Sequence, residues 1–283
     1  MRDSHDERER PLKPQYEVGV IGAGNAAEGI VHGLLRNSVL LDDRIIASDP
    51  DEARRQVFAD RFHIDVTDDN REVVANSYLL LLAVKPQIYR EVVAQFADLL
   101  HEDQVVVSIM AGVSTQSLEA CFPGICARVV RVMPNLASHV GAGMAGVCPG
   151  RYASEADLLR AQRIFDAGGK SVHIEDEGLM DAVTAVSGTG PAYYYFFTEA
   201  IVAAARQIGL SPQYADLLAK QTCLGAARMM LEAGEPPEVL RKKVTSPGGT
   251  TAAAMRSLAE DKVFDDIVAA VRAAFERSRE LGA

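Results

Sequence analysis

A β-branched segment, Glu17–Ile21, runs straight into Gly22-Ala23-Gly24-Asn25-Ala26-Ala27 and then into a helical stretch. A strand that turns through G-x-G-x-x-A into a helix is the opening unit of a Rossmann-type α/β domain. Gly22 permits the tight turn, Gly24 lets the backbone approach a pyrophosphate, and the small Ala27 lets the helix pack close to the sheet. The amides that open such a helix face the anion. The turn alone is a weak signal. Its place after a strand, before a helix and at the start of an α/β segment makes it a prediction of dinucleotide binding.

The pattern that follows supports this opening. Further strands are predicted at Arg44–Ser48, Tyr78–Ala83, Val105–Ser108 and Ala127–Val132, with helices between them at Asp51–Phe62 and Gln87–Leu100. The run Leu79-Leu80-Leu81-Leu82-Ala83-Val84 is apolar without alternation, as a strand buried on both faces must be. This alternation predicts a parallel sheet with helices on both sides. After about Glu175 no strand pattern is left, and helical segments are punctuated by Gly-Pro, Ser-Pro, Pro-Pro and Pro-Gly-Gly. The reading is an α/β Rossmann-type N-terminal domain plus an all-α C-terminal domain. Residues 1–15 read as a disordered tail, 16–175 as the dinucleotide-binding domain and 176–283 as a helical substrate-binding and dimerisation domain. Pro191–Ile208 is apolar nearly all round, and a helix of that kind must be covered on every side. A helical half of this size can hardly wrap it alone, which predicts a subunit interface and at least a homodimer.

Charge and composition exclude other classes. The net charge of −10 is wrong for a nucleic-acid binder and repels anionic ligands, so such ligands need locally positive groups. The N-terminus, Met1 to Arg10, mixes charges of both signs without an apolar stretch and cannot be a signal peptide. The most apolar later stretch, Ala192–Ala205, contains Glu199 and is too short to span a bilayer. A soluble, cytoplasmic protein is expected. Cys121, Cys126, Cys148 and Cys223 form no CxxC pair and no zinc spacing, so no metal site is expected.

Open α/β sheets bind ligands at the carboxyl ends of their strands, and the residues there are the candidate cofactor contacts. The second strand ends in Ser48-Asp49-Pro50-Asp51. A carboxylate at that point accepts bonds from a ribose 2′-hydroxyl and disfavours a 2′-phosphate. Arg54 and Arg55, one turn into the next helix, could offset it, and Asp49 could equally serve as the helix cap ahead of Pro50. NADPH and NADH both stay open as cofactors. Ala83-Val84-Lys85-Pro86 and Ser108-Ile109-Met110-Ala111-Gly112 end two further strands on the same edge.

Taken together, these motifs resemble the pyrroline-5-carboxylate reductase family, and the resemblance spans roughly Val18 to Leu281. Its most specific elements are Ser187-Gly188-Thr189-Gly190-Pro191-Ala192-Tyr193 and Val244-Thr245-Ser246-Pro247-Gly248-Gly249-Thr250-Thr251, with Met133-Pro134-Asn135 also in the family's order. The resemblance implies hydride transfer from NAD(P)H to L-1-pyrroline-5-carboxylate, giving L-proline in the final step of proline biosynthesis. It also implies a helical dimerisation domain whose dimers often assemble into decamers. Carried over to this sequence, Gly22, Ala23, Gly24, Asn25, Ala26, Ala27, Asn70, Ala83, Val84, Lys85, Pro86, Ser108, Met110, Ala111 and Gly112 would contact the cofactor, joined by Ser48 and Asp49 from their place at the end of the second strand. Ser246, Gly249, Thr250 and Thr251 hold the substrate. Ala26, Pro50, Met110, Leu136-Ala137 and Lys242 depart from the usual pattern.

The substrate so implied carries a carboxylate and a ring C=N. The Pro247-Gly248-Gly249 turn can present backbone N–H groups at a helix start to that carboxylate, although such a sequence is also an ordinary loop followed by a Thr cap. Thr251 is the candidate to hydrogen-bond and polarise the ring nitrogen, a catalytic role of orientation and not of acid catalysis. The six scattered histidines are read as structural, with His139 alone worth placing relative to the cofactor, and Glu177 and Asp181 are read as charges on an interdomain helix. Two alternatives remain: a reductase of another cyclic imine acid, and a non-catalytic dinucleotide-binding regulator, which would not need the Ser246–Thr251 turn. A 3-hydroxyacid dehydrogenase would want a lysine within 182–195, where there is none.

Overall fold

A computed structural model of the chain describes residues 14–282. Most of the tail predicted at 1–15 therefore lies outside the described residues. The eight strands are β1 (Tyr16–Ile21), β2 (Ile45–Ser48), β3 (Asp65–Thr67), β4 (Ser77–Leu82), β5 (Val105–Ser108), β6 (Arg128–Met133), β7 (Gly143–Pro149) and β8 (Gly169–His173). They form one sheet in the order β3-β2-β1-β4-β5-β6-β7-β8. All pairs are parallel except β6 with β7. The chain leaves β1 toward one side and returns through β4 on the other, so the strand order reverses between them, which is where such sheets bind ligands.

Helices α1 (Asn25–Arg36), α2 (Glu52–Phe62), α3 (Asn70–Asn76), α4 (Tyr89–Ala94), α5 (Thr115–Glu119) and α6 (Glu155–Asp166) connect the strands. The central strands are buried on both faces, and their alternate residues divide between two apolar clusters. Leu79 and Leu81 join Val18, Val20, Val105 and Val107 on one side. Leu80 and Leu82 join Ile21, Val106 and Val129 on the other. The unbroken leucine run of β4 thus supplies both cores at once.

Three strands escaped the sequence reading, each for a local reason. β3 is a three-residue polar edge. β7 and β8 are broken up by glycines required for close backbone packing, since a Cβ at Gly169 would collide with the backbone of Gly143. The helix predicted over 87–100 is shorter than expected. α4 ends at Ala94, and the segment beyond it tightens into i→i−3 turns such as Phe96 N–H to Val93 C=O at 3.1 Å. That tightening seats both Phe96 and Leu100 fully in the core.

Contacts divide the described chain into two compact units, residues 14–189 with 274–282 and residues 190–273. No strand occurs after His173 among the described residues. The first unit continues through the short α7 (Met180–Val183) and a wide π-type turn over Thr184–Gly188. The second holds α8 (Gly190–Gln207), α9 (Pro212–Ala233), α10 (Pro237–Lys243), α11 (Thr250–Glu260) and the first part of α12 (Val263–Gly282). α8 and α9 pack against each other, yet Tyr194, Tyr195 and Phe196 stay 60%, 60% and 70% exposed. An aromatic face that open on a single chain marks an association surface.

Gly19 tests the packing beneath the glycine turn. A Cβ there would fall 2.6 Å from Val73 Cγ1 and closer still to Ser77 Oγ. Gly19→Ala is expected to lower unfolding stability by about 1–3 kcal/mol through overpacking. Denaturant unfolding of the two proteins checks this, and equal midpoints at equal slope would remove the close packing of α3 on β1.

Candidate active site

Register brings the candidate residues together at one edge. Ile21 pairs with Ser48 on one side and Leu82 on the other, and Leu82 pairs with Ser108. The ladder then continues one step past the strand ends. Gly22 N–H donates to Ser48 C=O at 2.9 Å, Ala83 N–H to Ile21 C=O at 2.9 Å and Ile109 N–H to Leu82 C=O at 3.2 Å. Gly22, Asp49, Ala83 and Ile109 therefore stand side by side where the backbone leaves the sheet.

The turn after β1 has a backbone that can take an anion. Gly22 has φ +97°, and a Cβ on it would meet Ala83 O at 2.9 Å, so no other residue fits without strain. Gly24 caps α1 in an extended conformation, φ −77° and ψ 179°, and no side chain caps the helix. A Cβ at Gly24 would meet nothing within 4 Å. Its lack of a side chain thus answers no packing need of the protein and leaves room above the uncapped first amides of α1. Ala27 is fully buried against the sheet. These features fit a dinucleotide pyrophosphate. Asn25 and Ala26 lie in the same opening turn, and His139 closes its far side, with Nε2 3.0 Å from Asn25 O.

At the end of β2 the Asp49 carboxylate is fixed by two backbone donors, Ala23 N–H at 2.8 Å and Asp51 N–H at 2.9 Å. It does not cap α2. Asp51 does, accepting from Ala53 N–H at 2.9 Å. Both neighbouring arginines are turned inward. Arg54 donates through Nε to Ala23 O at 2.7 Å and to Glu28 at 2.8 Å, while Arg55 donates to Asp49 O at 2.7 Å and Pro50 O at 3.0 Å. Arg61 pairs with the other oxygen of Glu28. The Arg54 hydrogen bond holds the Glu28 carboxyl below the usual carboxylate range in spite of its burial. Asn70 joins this corner, accepting from the buried Ser48 hydroxyl at 2.6 Å and donating to Gln95 at 2.8 Å.

The remaining edge residues split by environment. Lys85 is exposed and opens a single 3₁₀ turn at Pro86, with Ala83 and Val84 half-buried beside Gly22. Ser108 is buried and its hydroxyl accepts from Met110 N–H at 3.3 Å. Met110 is only 2% exposed and packs in the core, so it offers a ligand its backbone alone. Gly112, at φ +75°, abuts Leu281 and Gly282 at the end of α12.

Two signature segments meet within the first unit. Asn135 donates to Ser187 O at 3.3 Å and accepts from Met144 N–H at 3.2 Å, and Gly188 leaves room for the Met133 side chain. A polar network unanticipated from sequence lies near them. Arg131, 5% exposed, reaches Glu177 at 3.3 Å and Asp181 at 3.4 Å. Glu177 also accepts from the Thr115 N–H and hydroxyl, and Asp181 from Ser278. Arginine within an apolar strand was the only signal for it.

In the helical unit, the candidate substrate residues gather at the start of α11. Gly248 has φ +70°. Gly249, not a threonine, is the N-cap, with φ −79°, ψ 174° and no side-chain cap bond. Thr250 and Thr251 are the first two helical residues, Thr250 exposed and Thr251 half-buried, while Ser246 is exposed at the turn. The backbone repeats that of Gly24 at the start of α1 within a few degrees. Among the described residues no cluster of His, Cys, Asp or Glu could hold a metal ion, and no helix is long and apolar enough to cross a membrane.

Comparison with known proteins places the chain among close likenesses. A family model described as pyrroline-5-carboxylate reductase dimerisation matches residues 177–281. A second, described as NADP oxidoreductase coenzyme F420-dependent, matches residues 17–112. A pyrroline-5-carboxylate reductase of Synechocystis sp. is 40% identical over 94% of this chain and 98% of its own length. That of Pseudomonas aeruginosa is 40% identical over 93% and 96%. Among solved structures, a pyrroline-5-carboxylate reductase of Coxiella burnetii superposes with TM-score 0.87 at 35% identity, covering 95% of this chain and 99% of that one. A Plasmodium falciparum pyrroline carboxylate reductase with NADP bound gives 0.86 at 27% identity, covering 96% and 100%.

The open space at Gly24 yields a separable prediction. Gly24→Val is expected to leave the thermal midpoint of the ligand-free protein almost unchanged while weakening binding of reduced nicotinamide cofactor about tenfold or more. Thermal unfolding and nicotinamide fluorescence titration measure the two quantities. Undiminished binding would show that no pyrophosphate approaches this turn.

Proposed function

Because this chain belongs to the pyrroline-5-carboxylate reductase family, we propose that it reduces L-1-pyrroline-5-carboxylate to L-proline with NAD(P)H, the final step of proline biosynthesis. The observation that carries this reading is the pair of matching helix starts. α1 and α11 each follow a positive-φ glycine and each begin at a glycine N-cap with no side-chain cap bond, and at α11 the Ser246 hydroxyl lies beside that glycine. The reaction has two anionic participants, a pyrophosphate-bearing cofactor and a carboxylate-bearing imine, and each helix start offers backbone amides to one of them.

The residues at the sheet edge, Gly22 to Ala27, Ser48, Asp49, Asn70, Ala83 to Pro86, Ser108 and Met110 to Gly112, are assigned to the cofactor, whose reduced nicotinamide supplies the hydride when bound. Ser246, Gly249, Thr250 and Thr251 are assigned to the substrate. The amides at Gly249 to Thr251 hold its carboxylate. The Thr251 hydroxyl hydrogen-bonds the ring nitrogen, donating to the neutral imine and accepting from its N–H once protonated, and so orients the C=N bond. A threonine hydroxyl is too weak an acid to protonate an imine whose own pKa lies near neutrality, so the proton comes from solvent. Most of the acceleration then derives from holding the two reactants in register.

The dimerisation match makes the chain a homo-oligomer. We extend this to a homodimer formed through the exposed aromatic face of α8, with dimers assembling into decamers, in the cytoplasm where the nicotinamide pool is regenerated. Residues 16–175 serve as the dinucleotide-binding domain and 176–283 as the substrate-binding and dimerisation domain.

Oxidation of NADH or NADPH on addition of pyrroline-5-carboxylate tests the activity directly, and binding of cofactor without turnover of any cyclic imine would return the protein to the regulator class. For the mechanism, Thr251→Ala is expected to lower kcat about tenfold to a hundredfold while cofactor affinity changes little. Unaltered steady-state turnover in that variant would take Thr251 out of the reaction.

A further inference from the structure

We propose that the corner at the end of β2 makes this enzyme selective for NADH over NADPH, with the Asp49 carboxylate as the residue that excludes a 2′-phosphate. The proposal rests on the reading that the chain is a nicotinamide-dependent reductase with its adenosine ribose at this edge.

Three observations carry it. First, the carboxylate cannot easily leave. Each of its oxygens already accepts a backbone N–H, from Ala23 at 2.8 Å and from Asp51 at 2.9 Å. A carboxylate oxygen has a second acceptor site, so both remain able to take hydroxyls of an unmodified ribose. A phosphate dianion in the same place has no proton to give and meets a fixed like charge.

Second, the nearby cations are committed elsewhere. Arg54 is held by Ala23 O and Glu28, Arg61 by Glu28, and Arg55 by the carbonyls of Asp49 and Pro50. Glu28 is only 14% exposed and stays ionised through its arginine contacts, so its one charge offsets one of the two arginines and its two oxygens hold both side chains where they lie. His139 adds a weak influence on that carboxylate from the other side.

Third, the rest of the corner is acidic or neutral. Pro50, which has no N–H and no charge, follows Asp49, and Asp51 and Glu52 open α2. The neighbouring β3 edge, whose Thr67 carbonyl accepts the Asp49 N–H at 3.3 Å, runs on into Asp68 and Asp69. Turning Arg54 outward to a 2′-phosphate would break its bonds to Ala23 O and Glu28, and the first of these braces the glycine turn itself.

The test is the dissociation constant of NADH and of NADPH for the full-length protein, read by nicotinamide fluorescence in the absence of imine. The expected result is NADH tighter by about tenfold or more. Asp49→Ser should bring the two within about threefold of each other, and because the comparison is a ratio inside one variant, any general loosening of the turn cancels. Glu28→Gln, which releases Arg54 and Arg61, should narrow the ratio by improving NADPH. Equal or tighter NADPH binding by the unmodified protein overturns the proposal. A preference for NADH that survives intact in Asp49→Ser overturns the assignment to Asp49. Binding of neither cofactor sinks the reductase reading itself, a result distinct from either.

Discussion

Strand register governs this molecule. β1 is paired in parallel on both sides, and its last residue, Ile21, is level with Ser48 of β2 and Leu82 of β4, itself level with Ser108 of β5. Parallel neighbours stand roughly 4.8 Å apart, so four chain exits line up within a span that one dinucleotide can cover. A slip of one residue in any pair would break that row and turn buried leucines of β4 from one core to the other. The apolar clusters on the two faces therefore do more than stabilise the sheet. They hold the register that holds the site.

Charge poses the next constraint. In the proposed reaction a chain of net charge −10 binds two anions, and among the described residues no lysine or arginine cluster stands at either helix start. The Lys85 side chain is exposed at the sheet edge, and the arginines around Asp49 are consumed by Glu28 and by carbonyl groups. In the proposed reading, backbone amides at uncapped helix starts do the work in their place. They carry partial positive charge in a fixed direction and add no net charge or side-chain entropy. Glycine at both N-caps, in almost identical conformations, leaves these amides without a side-chain cap bond. A Ser or Asp there would donate its own oxygen to the amides and compete with the ligand.

The parts of this arrangement legible from sequence are those written in local chemistry. The glycine turn, the leucine run of β4 and the proline-glycine signature before α11 each state a backbone requirement that few residues meet. Strands set by partners were not legible. β7 and β8 carry glycines that look like strand breakers until Gly169 is seen packed on the Gly143 backbone. At the site, Asp49 could be read in two ways because a carboxylate before a helix serves equally as cap or ligand. Only the structure shows that Asp51 has the capping role and that Asp49 braces Ala23. Glu28, which fixes two arginines from distant turns, had no readable signal, since its partners are 26 and 33 residues away.

The network around Arg131 shows why a core built on leucine and valine also keeps charges. α12 is one continuous helix that begins in the helical unit and ends in the α/β unit. Its last turns offer few apolar anchors, and an apolar face alone would let the helix end slide along the surface it packs on. Ser278, only 3% exposed, donates instead to Asp181 at 2.7 Å. Asp181 is paired with Arg131, whose other nitrogen meets Glu177, which in turn takes both donors of Thr115 at the start of α5. Each carboxylate thus has at least two donors, the condition under which a buried polar network costs little and directs much. Hydrogen bonds have direction and apolar contacts do not. The helix end is fixed in rotation and height, and with it the seat of Leu281 and Gly282 against Gly112, the glycine that closes the fourth exit of the row.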